Sequence, residues 1–176
     1  MALLNQPIFL FDWGDTLMVD HSRIDPLRFQ GKMADWPRVD LVEGARQVLE
    51  RLSIRAELYL ATSAADSSEA EIRTEFERQG MDRFLSGYFC RQNLGLGKSS
   101  PEYYPSILAR LGCQIDDVVM VGDSLTKDVE PALAVGLTVC WLNPQSVELP
   151  PALAASGRVH ELRQLTDLLR LVESTG

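Results

Sequence analysis

The sequence predicts an α/β protein whose mostly parallel central sheet is covered by helices on both faces, a three-layer arrangement. Three observations carry that prediction. Short apolar runs alternate along the chain with segments whose apolar residues recur at helical spacing. Several of those runs stop abruptly at an aspartate or threonine, as strands do where an open sheet carries its ligands. With 176 residues, 45% of them apolar and 24% charged, the chain is long enough for one domain with a sizeable core.

The elements follow in order. Residues 7–12 are a continuous apolar run ending at Asp12, the pattern of a strand buried on both faces. Ala45, Val48, Leu49 and Leu52 fit the i, i+3, i+4, i+7 stripe of a helix. Residues 57–62 read as a second strand, followed by a polar helix over 66–79 with only Ile72 and Phe76 facing inward. A third strand covers 87–90, and Tyr104, Ile107, Leu108 and Leu111 mark the next helix. Strands over 117–121 and 137–142 come next, with a weak sixth near 158–160. Leu162, Leu165, Leu168, Leu169 and Val172 suggest a closing helix. No internal repeat, low-complexity tract or flexible linker interrupts the series.

One segment breaks the rhythm. Residues 18–40, with His21, Pro26, Lys32, Trp36 and Pro37, are far longer than an ordinary strand-to-helix connection. The segment follows the first aspartates directly and is expected to form a small cap, with a helix over 25–34, inserted into a single domain spanning 1–176.

A net charge of −8 argues against nucleic acid, whose partners present a basic face. It leaves room for a small phosphorylated molecule, because one cation and one lysine can dominate a small pocket. Cys90, Cys113 and Cys140 lack paired metal-ligand spacing, and with two histidines in the chain a zinc site is not expected. Free thiols, an N-terminus without a basic leader and no apolar run of membrane-spanning length lead to the expectation of a cytoplasmic protein without membrane contact.

Four short pieces carry the chemistry: Asp12-Trp13-Gly14-Asp15-Thr16, Thr62-Ser63, Gly97-Lys98, and Gly122-Asp123 with Asp128 five residues on. A carboxylate at a strand end can attack phosphorus and form an acyl phosphate that water then hydrolyses, which nominates Asp12 as nucleophile. Two anions must meet, so a divalent cation is needed, and the oxygen-only candidates Asp123 and Asp128 favour Mg²⁺. Lys98 would bring positive charge to the phosphoryl oxygens, and Thr62 a hydroxyl donor, with Ser63 beside it. Gly95-Leu96-Gly97-Lys98-Ser99 is not a phosphate-binding P-loop, since position 92 is Gln92 where that motif needs glycine.

The ordered set resembles the haloacid dehalogenase superfamily over roughly residues 7 to 142. Lys98-Ser99-Ser100-Pro101-Glu102 is similar to that family's Lys-Pro-x-Pro-Glu stretch, and Ala134-Val135-Gly136 to its turn after the metal aspartates. The resemblance implies a Rossmann-like sheet, an aspartyl-phosphate intermediate and a Mg²⁺-dependent phosphatase. It also implies that the metal is held by the Asp12 carboxylate, the Gly14 carbonyl and Asp123, with Asp128 close by.

The chain departs from the family at one place. Phosphatases of the family read Asp-x-Asp-Gly-Thr, where the second aspartate protonates the leaving alcohol; here that position is Gly14, and an aspartate comes one residue later. Three explanations stand side by side. Asp15 swings in on the permissive Gly14 backbone; or the substrate has a leaving group that needs no acid; or the protein is not an ordinary phosphatase. The third includes the haloacid dehalogenases and a phosphonoacetaldehyde hydrolase-like carbon–phosphorus hydrolase, with Lys32 as Schiff-base former; the short cap argues against both, and the Asp123 and Asp128 metal pattern against the dehalogenases. A rival from another class is a protein that binds phosphate ligands without turning them over. Each residue also has a bland role: Asp15 as a turn former, Asp128 complementing a helix N-terminus, Thr62 and Ser63 capping the next helix, His21 as a loop histidine.

Overall fold

The computed structural model describes residues 4–173. Six strands run parallel in the order β3-β2-β1-β4-β5-β6: β1 (Ile8–Phe11), β2 (Glu57–Ala61), β3 (Gly87–Phe89), β4 (Val118–Gly122), β5 (Thr138–Leu142) and β6 (Val159–Leu162). That order is Rossmann-like, and it reverses direction around β1, the switch point where such sheets bind ligands. The weak sixth run is therefore a genuine edge strand.

Side-chain alternation divides the core into two layers. Phe9, Phe11, Leu58, Leu60, Val119, Val121, Cys140 and Leu142 face one side. Ile8, Leu10, Ala61, Val118, Met120, Val139 and Trp141 face the other. The strands are apolar throughout because both faces are covered. Helices α1 (Ala45–Leu52), α2 (Glu69–Arg78) and, at the C-terminal end, α7 (Asp167–Glu173) pack on the first side through residues such as Val48, Leu49, Ile72, Phe76 and Leu168. On the second side lie α4 (Tyr103–Leu111) and α5 (Glu130–Ala134), with Tyr103, Tyr104, Ile107 and Ala132 buried. Two four-residue helices, α3 (Arg91–Leu94) and α6 (Pro151–Ala154), turn the chain between strands.

Three expectations are corrected. The polar helix starts at Glu69, not 66, because Ser68 closes a capping box with Glu71; Ser68 accepts from the Glu71 N–H and Glu71 accepts from the Ser68 N–H. Thr62 and Ser63 therefore do not cap it. The closing helix begins at Asp167, and Leu162 belongs to β6, where it pairs with Leu142.

No helix spans 25–34. The segment after β1 carries two short 3₁₀ turns, His21–Arg23 and Met33–Asp35, joined by irregular backbone. Gly31 sits at φ 69°, which a helix interior does not allow, and Leu27 is left exposed, so the apolar residues cannot form one helical stripe. What holds the segment is a small aromatic cluster. His21 stacks on Phe29 at 4.7 Å, Phe29 meets Trp36 edge-on at 5.5 Å, and His21 Nε2 lies 2.7 Å from Asp40 Oδ2.

Candidate active site

Asp12, Thr62 and Asp123 each stand one residue beyond the end of a strand, and those strands, β1, β2 and β4, are neighbours. The Asp12 N–H still donates to Val121 O at 2.9 Å, so the nucleophile candidate is fixed by the last rung of the sheet ladder. Its carboxylate meets two partners: Oδ1 accepts from Lys98 Nζ at 2.6 Å, and Oδ2 lies 3.2 Å from Thr16 Oγ1. Thr16 is fully buried, and its hydroxyl is also 3.1 Å from Asp123 Oδ1, so one proton is shared between two carboxylates.

Lys98 arrives from the loop between α3 and α4. Its N–H donates to Ser63 Oγ at 2.7 Å, while Tyr103 O–H donates to Thr62 O at 3.0 Å, tying that loop to the end of β2. Nζ is 2.6 Å from both Asp12 Oδ1 and Asp128 Oδ1. Burial pushes the ammonium toward neutrality, but the two carboxylates outweigh it and hold its pKa well above the lysine range.

Asp128 is fully buried in a π-helical turn, Leu125–Val129, that precedes α5. Its Oδ2 accepts from the Ser124 N–H at 3.0 Å. The carboxylate lies against β4 so closely that a Cβ built on Gly122 would fall 2.3 Å from Asp128 Oδ2; glycine is the residue that leaves room for it. Asp12, Asp123 and Asp128 can each bring a carboxylate oxygen within 4.8 Å of the others.

Three carboxylates face one ammonium here. Burial and the Asp12 charge push Asp123 up to about 8, and the same two causes raise Asp128 to about 6. A group of oxygen donors with surplus negative charge fits a small divalent cation such as Mg²⁺. The cluster opens into a cavity of about 680 Å³, lined also by Gly14, Asp15, Asp20, Lys32, Ser63 and Asp66. That volume suits a small-molecule ligand.

Asp15 is turned to another task. It adopts φ 58°, and its two oxygens accept from the Asp20 N–H at 2.9 Å and from Arg23 at 2.8 Å. Lys32 reaches the cavity wall but its Nζ lies 2.7 Å from Glu71 Oε1. The hydrogen bond that Lys32 donates to Glu71 raises its pKa, the reverse of what an amine nucleophile needs. Trp13 is buried, packs against Phe76 and points its indole N–H at Met18 Sδ, so it belongs to the core while also lining the cavity.

Two residues at this site carried little signal in the sequence. Thr16 was visible only as part of a motif, and its bridging of two carboxylates depends on β4 lying next to β1. Asp20 lies in the irregular segment; the only local clue is an aspartate two residues before Ser22, a turn-capping pair.

Comparison with known proteins agrees with the fold. A family model for haloacid dehalogenase-like hydrolases matches residues 14–136. YfnB of Bacillus subtilis is 24% identical over 135 residues, which are 74% of this chain and 55% of that one. The pyrimidine 5'-nucleotidase YjjG of Escherichia coli is 24% identical over 158 residues, 89% of this chain and 68% of that one. A glyceraldehyde 3-phosphate phosphatase of Methanocaldococcus jannaschii is 28% identical over 94 residues, 53% of this chain and 41% of that one. The chain thus spans about half the length of YfnB and of the archaeal enzyme. A crystal structure of YfnB bound to magnesium superposes with a TM-score of 0.76 at 16% identity, covering 97% of this chain and 100% of that chain.

Proposed function

The chain belongs to the haloacid dehalogenase-like hydrolases, and from that premise we propose that it hydrolyses small phosphoric monoesters, using Mg²⁺ and a phosphoryl group carried on Asp12. The observation that carries this reading is Asp12 itself: a carboxylate at the switch-point strand end, 2.6 Å from a buried lysine, in a three-aspartate cluster at a small-molecule cavity. Relatives named as a pyrimidine 5'-nucleotidase and a glyceraldehyde 3-phosphate phosphatase point the same way.

Asp12 Oδ attacks phosphorus, and the alcohol leaves on the opposite side. Lys98, held charged, and the Thr62 hydroxyl, free to donate because its oxygen accepts from the Ala64 N–H, take the phosphoryl oxygens. Water then releases phosphate from Asp12. Asp12, Asp123 and the Gly14 carbonyl would hold the ion. Asp128, bonded to Lys98 and Ser124, would complete its charge balance from behind. When bound, the cation supplies the positive charge that lets a carboxylate approach a phosphate. Residues 18–40 act as a small cap over the cavity. A cytoplasmic location fits the three free thiols.

The pairing of Lys32 with Glu71 at 2.7 Å speaks against the carbon–phosphorus alternative. Phosphate release from aryl, acyl and alkyl phosphates with and without Mg²⁺, using Asp12→Asn as the blank, tests the proposal. Mg²⁺-dependent release abolished in the variant is expected. Tight phosphate-ligand binding by calorimetry with no product from any substrate would replace hydrolysis with binding.

A further inference from the structure

Expelling an alkoxide is slow unless a proton reaches it, and a positioned acid is worth ~10²–10⁴-fold. Among the described residues, five carboxylates line the cavity: Asp12, Asp15, Asp20, Asp66 and Asp123. Four are accounted for. Asp12 is bonded to Lys98, and Asp123 accepts from the Thr16 hydroxyl and, in the hydrolase reading, meets the ion as a carboxylate. Both oxygens of Asp15 are taken by Asp20 N–H and Arg23. Asp66 is exposed, in the connection from β2 to α2.

Asp20 remains, and its placement is specific. Its Oδ1 accepts from the Ser22 N–H at 3.1 Å and from the Ser22 hydroxyl at 2.5 Å, whereas Oδ2 accepts no hydrogen bond among the described residues. Oδ2 lies beside Gly14, two residues after the nucleophile. A Cβ built on Gly14 would find Asp20 Cβ at 3.7 Å and Asp20 Oδ2 at 4.0 Å as its nearest neighbours. Gly14 does not have a positive φ, so its backbone does not require glycine. The Asp20 carboxylate borders, at ordinary van der Waals distance, the space that a side chain at residue 14 would enter.

The chain reaches this arrangement through Asp15. Its left-handed backbone, tolerated by aspartate, turns the chain at once, and its N–H donates to Met18 O at 2.6 Å. Its carboxylate then catches the Asp20 N–H, closing the loop so that residue 20 returns to residue 14. Arg23 braces the other oxygen at 2.8 Å. Asp15 is thus a positioning residue.

We propose that Asp20 supplies the leaving-group proton, from the space that Gly14 leaves open; this rests on the hydrolase reading above. As the bond from Asp12 to phosphorus forms and the ester P–O bond breaks, the Asp20 carboxylic acid gives its proton to the departing oxygen. The Asp20 carboxylate then takes a proton from the water that attacks the phosphorus of the acyl phosphate, the Asp12 Oδ–P bond breaks, and Asp12 departs as the carboxylate. Phosphate and alcohol leave, and the acid is restored.

Asp20→Asn tests this, since the amide oxygen can still accept from Ser22 and keep the turn. The expected result is a fall in kcat/KM for alkyl phosphates by ~10²-fold or more, at least tenfold larger than the fall for p-nitrophenyl phosphate, whose leaving group needs little help. Gly14→Asp added to Asp20→Ala should restore alkyl turnover at least tenfold over Asp20→Ala alone, because the cleared space accepts the new carboxylate. The unaltered protein gives a check that no variant's folding can spoil: kcat/KM should depend only weakly on leaving-group pKa. A steep dependence there, equal losses on alkyl and aryl esters in Asp20→Asn, or no loss on alkyl esters overturns the assignment. Failure to release phosphate from either class overturns the hydrolase reading, and the role of Asp20 goes with it.

Discussion

Asp12 combines two demands that are ordinarily in conflict. As the proposed nucleophile it must stay anionic, yet it sits close to two other carboxylates. Lys98 and the Thr16 hydroxyl reconcile them by bonding its two oxygens separately. Asp12→Asn removes the proposed nucleophile with little change of shape, and a loss of turnover on the order of 10³-fold or more is expected in a steady-state phosphate assay. Gly122 is the opposite kind of residue, important for what it lacks. Gly122→Ala would drive a methyl group into the Asp128 carboxylate, and a cost of about 1–3 kcal/mol is expected in urea unfolding. A midpoint unchanged from the parent would mean that Asp128 can withdraw freely.

At the scale of elements, the site depends on connections more than on helices or strands. The π-helical turn before α5 directs Asp128 back toward β4, and the loop after α3 carries Lys98 inward on a hydrogen bond to Ser63. Lys98→Ala leaves the buried Asp128 without its cation, and a loss of about 3–5 kcal/mol follows from such a broken pair. The variant should be inactive and should melt well below the parent; equal stability would show that the two carboxylates relax by taking up protons. The capping box of α2 is a separable contribution. Ser68→Ala should cost about 1 kcal/mol by chemical denaturation while leaving turnover intact, since Ser68 lies outside the cavity lining.

For the whole molecule, the crowded aspartates couple stability to pH and to metal. The folded chain keeps a proton on Asp123 up to about pH 8, whereas an ordinary aspartate loses it near 3.8. Between those values the native state binds more protons than the unfolded state, so stability falls as pH rises through this window. A divalent cation that replaces the proton removes this penalty. Thermal scans of metal-free and Mg²⁺-saturated protein should therefore show a Tm gain that is small near pH 5 and larger by several degrees near pH 8. A gain independent of pH, or larger at low pH, would count against Asp123 as the group that meets the ion.

Much of this architecture was determined by the sequence alone. Apolar runs that stop at Asp12, Thr62 and just before Asp123, alternating with helical stripes, specify a doubly wound sheet and the edge where its chemistry collects, because periodicity and burial are local properties of the chain. The same locality explains the misplaced starts of α2 and α7, where a cap and a strand pairing outweighed the apolar stripe. Tertiary structure alone decided the rest. Residues 18–40 lack a repeating pattern, and their path is set by stacking on Phe29, the pairing of His21 with Asp40 and the positive φ at Gly31. That Asp15 braces the loop while Asp20 comes to rest beside Gly14 depends on hydrogen bonds across five residues of irregular chain, for which no periodicity exists to be read.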